Sequence, residues 1–175
     1  MKKTILTFGL ASGLINALCM IYFVLNLGET PDFEKGEIIG YSGMILSFSL
    51  IFFGIRSYRN NFNEGVISFG KAFKIGLFIA LIASTVYVIT WLFLYFNVVP
   101  DFADKYCANL VENMRKSGAS EIALNKKIEE MKEFKIMYDK PIFNILMTYC
   151  EIFPLGLLVS LICSFILMKK PSIQV

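Results

Sequence analysis

Few side chains in this sequence have the chemistry of a catalytic site. The chain contains no histidine, and this removes the commonest general base, the triads that depend on it and most zinc sites. The cysteines, at positions 19, 107, 150 and 163, form no CxxC pair. No glycine-rich phosphate-binding motif follows a strand. The sequence therefore predicts a protein that is not an enzyme and that binds no cofactor or metal ion.

Glu151 is the main candidate for a functional side chain, because it is the only charged residue in the segment 141–168. Ionisable groups inside a membrane are usually functional, which would make it a carboxylate that handles a proton or a cation. The favoured alternative is an interfacial carboxylate that bonds tyrosine hydroxyls or water, since Glu151 lies 18 residues, about 27 Å of helix, from Lys169. Pro154 removes a helical hydrogen bond and predicts a kink beside the acid.

Composition predicts the elements that hold these residues. Hydrophobic residues make up 56% of the chain and charged residues 18%, and the apolar residues come in long blocks. About 20 apolar residues in a helix cross a bilayer. Four blocks reach or approach this length, at about residues 4–28, 38–55, 75–99 and 141–168. The first is too long for a signal-peptide core, and no small-x-small cleavage site follows it. We therefore predict an all-α protein, an integral membrane four-helix bundle that forms a single domain over residues 1–175.

The basic residues predict the orientation, because lysine and arginine near span ends stay on the cytoplasmic side. They lie at the N-terminus, in the segment 56–74 and at the C-terminus, as Lys2, Lys3, Arg56, Arg59, Lys71, Lys74, Lys169 and Lys170. The connection 29–37 has four acids and one lysine, and the connection 100–140 has eight acids and eight bases that lie mostly far from the span ends. We expect both termini in the cytoplasm.

Small residues recur four positions apart in every predicted span. Such a row forms a groove on one helix face and lets two backbones approach closely. We expect the rows to pack the four helices together, with homodimerisation through one row as the alternative. The residues are Gly9, Gly13 and Ala17; Gly43 and Ser47; Ala72, Gly76, Ala80 and Ser84; and Gly156, Ser160 and Ser164.

The insertion 101–140 predicts an extracytoplasmic helical hairpin between the third and fourth spans. Gly118 can end the first helix in left-handed geometry, and Ser120 is a suitable N-cap for the second. We expect the two apolar stripes to pack on each other; the alternative is a surface for a membrane or periplasmic partner. The stripes are Phe102, Tyr106, Leu110 and Met114, and Leu124, Ile128, Met131, Phe134 and Tyr138.

Residues near the span ends predict contacts with the lipid bilayer. Lys71 and Lys74 can bind anionic headgroups.

Cys107 and Cys150 lie on the outer side, where a disulfide is an alternative to two free thiols. The net charge of +3, without a soluble basic domain, predicts no nucleic-acid partner. An interfacial aromatic belt is expected at the level of Glu151, formed by Tyr22, Tyr41, Trp91, Tyr95 and Tyr149.

Two segments that flank the predicted hairpin carry distinctive motifs, FGKAFKIG within GIRSYRNNFNEGVISFGKAFKIGLFIALIASTVYVITW and E-x-x-P-x-G-L within FNILMTYCEIFPLGLLVSLICSFILMKK. In these segments, and over most of its length, the chain resembles the bacterial membrane-protein family labelled domain of unknown function 4199. The resemblance implies a small four-span protein of the cytoplasmic (inner) membrane and implies no activity. The matching positions are Gly54, Arg56, Tyr58, Gly65, Phe69, Lys71, Ala72, Lys74, Gly76, Glu151, Pro154 and Gly156.

Two classes of function remain. The first is a non-enzymatic accessory or envelope-organising protein whose outer hairpin meets a partner, as a monomer or a homo-oligomer. The second is a small transporter or channel component in which Glu151, beside the Pro154 kink, lines a pathway. Four spans with one candidate acid favour the first class. The candidate functional residues are Glu151, Pro154, Gly156, Lys71, Lys74 and Arg56.

Overall fold

The computed structural model describes residues 1–26 and 33–169, and the prediction of an all-α protein is confirmed for them. α1, α2, α3 and α6 are each long and apolar enough to cross a membrane. Residues 27–32, which include the predicted end of the first span and part of the acidic connection, and Lys170 lie outside the described residues. The helices are α1 (Lys2–Leu25), α2 (Phe33–Phe62), α3 (Phe69–Asn97), α4 (Phe102–Lys116), α5 (Glu121–Tyr138) and α6 (Pro141–Leu167).

The third helix, α3, lies at the centre of the four long helices. It packs along α1 and α6 on opposite faces, and α2 contacts all three of these helices. α2 is longer than its uncharged block suggests, because the helix continues through the charged residues on both sides of 38–55. The core that the helices share includes side chains without exposed surface: Phe48, Ile51, Ile55, Ile75, Ile79 and Ile152.

The small residues of α3 and α6 face each other in antiparallel register. A methyl group at Gly76 would lie 3.0 Å from Cβ of Ser160, and one at Gly156 would lie 2.9 Å from Cβ of Ala80. Ser160 and Ser164 donate hydrogen bonds of 2.7 and 2.6 Å to carbonyl oxygens one turn earlier in α6. Their hydroxyls are therefore satisfied inside an apolar contact. Ala72, Ala80, Ser84, Ser160 and Ser164 are all fully buried, and so are Ile51 and Ile79 beside them.

The small row of α1 packs against the opposite face of α3. A methyl group at Gly9 would lie 2.9 Å from Cβ of Ile82, and one at Gly13 would lie 2.7 Å from Cβ of Val86. These distances are too short for any side chain, so glycine is what lets the two helices touch.

A reciprocal pair of hydrogen bonds joins α1 to α2. The Ser12 hydroxyl donates to the Ser47 carbonyl oxygen at 3.0 Å, and the Ser47 hydroxyl donates to the Ser12 carbonyl oxygen at 2.9 Å. Both side chains are fully buried. Gly43 lies one turn away and would place a methyl group 3.4 Å from Cys19, which is ordinary contact.

The loop between α2 and α3 meets the end of α6. Ile67 and Lys169 exchange backbone hydrogen bonds of 3.0 and 2.9 Å, and Arg59 donates to the Leu167 carbonyl oxygen at 3.2 Å. We call this end of the bundle the basic end. Its described basic residues are Lys2, Lys3, Arg56, Arg59, Lys71, Lys74 and Lys169.

At the opposite end, α4 and α5 are joined by a short turn that has the expected local geometry. Gly118 has a φ of +78°, and the Ser120 hydroxyl accepts a hydrogen bond from the backbone of Ala123 at 3.3 Å. Lys135 of α5 forms an ion pair with Asp104 of α4 at 2.5 Å. We call this end the α4–α5 end.

The first two rings of the α4 stripe, Phe102 and Tyr106, pack on α2 and α3. The ring of Phe33, at the start of α2, lies 5.6 Å from that of Phe102 and 5.3 Å from that of Tyr106. Trp91 of α3 lies 4.9 Å from Phe102. The expectation that the two stripes simply pack on each other is therefore incomplete, because aromatic rings of α2 and α3 cover part of α4.

We expect Gly76→Leu and Ala80→Leu to separate α3 from α6, because an added side chain meets Ser160 and Gly156 at contact distance. Overpacking of this kind costs about 1–3 kcal/mol. Thermal unfolding in detergent should therefore begin at a lower temperature for both variants. Phe78→Leu is the matched control, since Phe78 is 40% exposed on the same helix and its replacement should change little. Equal unfolding curves for the three variants would contradict the role of the small row.

Candidate functional site

A cavity of about 380 Å³ lies at the α4–α5 end and is lined by residues from all six helices. Its volume falls in the range of sites for small molecules. The contributing parts are the second half of α1, the first part of α2, the second half of α3, the beginnings of α4 and α6, and the end of α5. The helices that build the bundle thus also build the cavity, at the end opposite the basic end.

Two carboxylates line this cavity. Glu151 comes from α6 and Glu37 from α2, and both side chains are exposed rather than packed in the core. No lysine or arginine belongs to the lining among the residues that the structure describes. The candidate acid of the fourth helix therefore faces an open space that it shares with a second acid.

The deep part of the cavity is polar. Asn16 of α1 is 2% exposed, and its amide nitrogen has no hydrogen-bond partner among the described residues. Thr148 of α6 is also 2% exposed, and its hydroxyl donates to the carbonyl oxygen of Asn144 at 2.8 Å. An unpaired buried donor costs about 1–3 kcal/mol. Asn16 therefore favours a polar occupant at this depth.

Hydrogen bonds attach the aromatic wall of the cavity to α5. The indole nitrogen of Trp91 donates to the Tyr138 hydroxyl at 2.9 Å, and the Tyr95 hydroxyl donates to the Asp139 carboxylate at 2.6 Å. Both bonds connect α3 to the end of α5. They hold α5 over the bundle and so fix the shape of the cavity.

The predicted interfacial belt is wrong for two of its members. Trp91 and Tyr95 are 8% and 1% exposed, because α4 and α5 cover them. Tyr22 and Tyr41 are exposed, as expected for a belt, and the Tyr149 hydroxyl is hydrogen-bonded to that of Thr85 at 2.8 Å.

Two tyrosines of the α4–α5 pair stay protonated in the cavity. Burial raises the pKa of Tyr106, and the negative charge of Glu37 raises it further. Burial also raises the pKa of Tyr138. Both hydroxyl groups therefore remain neutral hydrogen-bonding groups near neutral pH.

The other candidate residues lie away from the cavity. Pro154 lies within α6, is exposed and is not part of the lining, and Gly156 lies in the contact with α3. At the basic end, the Lys71 ammonium donates to Asn63 at 2.6 Å and lies 5.2 Å from the ring centre of Tyr58. Lys74 and Arg56 are exposed at the same end. The structure does not bring any of these residues to Glu151.

The sequence reasoning missed Glu37 and Asn16. Glu37 lies 19 residues before Arg56, and Glu151 lies 18 residues before Lys169. Counting helix positions from these basic residues would therefore have placed both acids at about the same level. Asn16 is a polar residue within an uncharged apolar block.

The thiols of Cys107 and Cys150 are free, and Cys107 lines the cavity.

The fold and the cavity define a small all-helical protein with four helices of membrane-crossing length. The chain belongs to the family described as "Protein of unknown function (DUF4199)", whose model matches residues 7–169. The resemblance found in the sequence motifs is thereby confirmed. No curated protein and no solved structure matches the chain.

We expect Tyr138→Phe to destabilise the α4–α5 end, because it leaves the Trp91 indole nitrogen without its acceptor. The loss of this bond should cost about 1–3 kcal/mol and should increase hydrogen exchange in α5. Glu151→Gln is the comparison, since an exposed acid at a cavity surface can be replaced at a cost below about 0.5 kcal/mol. If Glu151→Gln unfolded the bundle, the acid would have to be part of its core.

Proposed function

We propose that this protein is a multi-pass protein of the bacterial cytoplasmic membrane, with both termini in the cytoplasm and with α4 and α5 outside. We further propose that it acts without catalysing a reaction, as an accessory or envelope-organising protein. The observation that carries the proposal is the polarity of the bundle. Bases outnumber acids among the described residues at one end, whereas the end with the cavity, α4 and α5 carries mixed charges.

Exposed apolar side chains support the membrane location. The outer face of α1 carries a leucine at every fourth position, and these side chains are 50–59% exposed: Leu6, Leu10, Leu14 and Leu18. Exposed apolar stripes of this size are unfavourable in water. Lipid tails would cover the stripe.

The charges support the orientation. The α2–α3 loop and the end of α6 meet at the basic end through the Ile67 and Lys169 backbone, so the lysines and arginines near the span ends are concentrated on one side. Such residues are retained in the cytoplasm. The α4–α5 pair carries mixed charges and many ion pairs within each helix, as suits a segment in water.

The chemistry of the cavity supports binding rather than catalysis. The chain has no histidine, and burial raises the pKa of the Cys107 thiol, with the charge of Asp104 adding to the shift. A raised thiol pKa disfavours the reactive thiolate. The remaining polar groups are acids, tyrosines, an amide and a threonine, which suit recognition of a ligand or partner.

A transporter component remains the second candidate, and the depth of the cavity favours it. Asn16 and Tyr87 line the cavity and lie 13 residues, about 20 Å, from Lys3 and Lys74 at the basic end. Beneath them the core is closed, because Phe48 and the isoleucines packed with it have no exposed surface. A complete pathway would therefore require a large rearrangement or a second copy of the chain, and we favour the accessory role.

The topology can be tested with a membrane-impermeant thiol reagent on intact cells. In a background that keeps only the buried Cys163 (Cys19→Ser, Cys107→Ser and Cys150→Ser), Ser117→Cys in the exposed turn after α4 should be labelled from outside. Asn60→Cys, exposed at the basic end, is the matched control and should react only after the membrane is permeabilised. The reverse pattern would overturn the orientation.

With Cys19 and Cys150 replaced by serine, the native Cys107 should also react from outside, but more slowly than Ser117→Cys at neutral pH. Burial raises the pKa of its thiol, so less thiolate is present and the rate should increase as the pH rises. Labelling rates measured between about pH 7 and pH 9 check this. If Cys107 reacted as fast as Ser117→Cys at neutral pH, the raised thiol pKa of the half-buried Cys107 would be contradicted.

A further inference from the structure

The charge of the cavity has one sign. Glu37 and Glu151 both line it, and its described lining contains no lysine or arginine. Lys135 of α5 lies between the lining residues Phe134 and Tyr138 in the sequence, and it is paired with Asp104. Two carboxylates that share one cavity are stabilised by a cation between them.

Aromatic rings are the largest group of side chains around these acids. The electron-rich face of a tryptophan or tyrosine ring attracts a cation within about 6 Å. Such rings also cover the apolar groups of an organic ligand. The rings in this lining include Phe33, Tyr41, Tyr87, Trp91, Tyr106 and Tyr138.

Asn16 supplies an independent indication of a ligand. Its side chain is 98% buried and lines the cavity, yet its amide nitrogen lacks a hydrogen-bond partner among the described residues. Native proteins rarely leave a buried polar group unpaired. A hydrogen-bond acceptor on the occupant, such as a hydroxyl or carbonyl oxygen, would satisfy it.

The same lining is poorly suited to a metal ion. Within residues 1–26 and 33–169, no group of three or more acidic, cysteine or histidine side chains is arranged to hold one. Calcium takes six to eight oxygen ligands, and two exposed carboxylates in an aromatic cavity supply too few. A volume of about 380 Å³ fits a small organic molecule.

We propose that the cavity binds a small organic ammonium ion that has an apolar body and a hydrogen-bond acceptor. The charged nitrogen lies between Glu37 and Glu151, the apolar body lies against the aromatic wall, and the acceptor meets the Asn16 amide. This site goes beyond the proposed membrane role, and it does not depend on which side of the membrane the cavity faces.

Benzoylcholine is a suitable probe, because it combines a quaternary ammonium group, an ester oxygen and a phenyl ring. Trp91 is the only tryptophan of the chain and lines the cavity, so its fluorescence in the detergent-solubilised protein reports binding. Equilibrium dialysis gives a second readout that does not depend on the fluorescence change. The control ligand is 3,3-dimethylbutyl benzoate, which has the same shape with carbon in place of the charged nitrogen.

We expect saturable binding of benzoylcholine, with an affinity at least about tenfold higher than that of the neutral ester. Glu37→Gln and Glu151→Gln should each weaken benzoylcholine binding by about fivefold or more, without changing the affinity for the neutral ester. Glu133→Gln is the matched control, because this acid is exposed on α5 and does not line the cavity. Circular dichroism of each variant verifies that the bundle remains folded.

Three results would overturn the site. They are equal affinity for the charged and neutral ligands, unchanged benzoylcholine binding in the double variant of Glu37 and Glu151, and no saturable binding by either method. Because the titration is made in detergent, such a failure leaves the labelling test of the topology unaffected.

An ammonium group could belong to a free compound or to a lipid headgroup, and nanodiscs distinguish the two. The titration is repeated in discs of phosphatidylglycerol alone and in discs that also contain phosphatidylethanolamine. A lower apparent affinity in the second kind of disc would support the site and assign it to the ethanolamine headgroup. An equal affinity in both would support the site and assign it to a free ammonium compound.

Discussion

The close approach of α3 to its neighbours is the constraint on which the other features depend. α3 contacts α1 and α6 through opposite faces. At Gly9, Gly13, Gly76 and Gly156 the facing helix lies so close that a larger side chain would require it to shift. Lipid tails provide no hydrophobic drive between helices, so dispersion contacts at short distance must hold a membrane bundle together. The hydroxyls of Ser160 and Ser164 donate to backbone carbonyl oxygens and so add no unpaired donor, whereas the buried Ser84 hydroxyl has no partner among the described residues.

The same packing explains why the cavity forms at the α4–α5 end. Near the middle and the basic end, small residues and isoleucines close the space between the four helices. Towards the α4–α5 end the contacts of α3 change to large aromatic residues, Tyr87, Trp91 and Tyr95, which cannot pack as closely. α4 and α5 then cover the wider space, and the Trp91 to Tyr138 hydrogen bond fixes that cover.

Electrostatics distinguishes the two ends of the molecule. The basic end carries its charges on exposed side chains or satisfies them locally, as Lys71 does with Asn63. The opposite end places Glu37 and Glu151 around an aromatic cavity and keeps the pKa of nearby Tyr106 raised. This asymmetry suits a protein that is anchored by its basic side and that recognises a cationic group on the other.

The sequence alone determined the four long helices and the turn before α5, and it identified Glu151 as a candidate. These features depend on local patterns: the length of apolar blocks, a glycine at the helix end, the Ser120 cap and one acid in an uncharged segment. Tertiary structure decided that Glu37, Asn16 and Trp91 line one cavity with Glu151 and that Pro154 does not. Helices in lipid are apolar on every face, so their periodicity does not separate the face that meets a neighbour from the face that meets lipid. Only the packing of the helices decides which side chains meet.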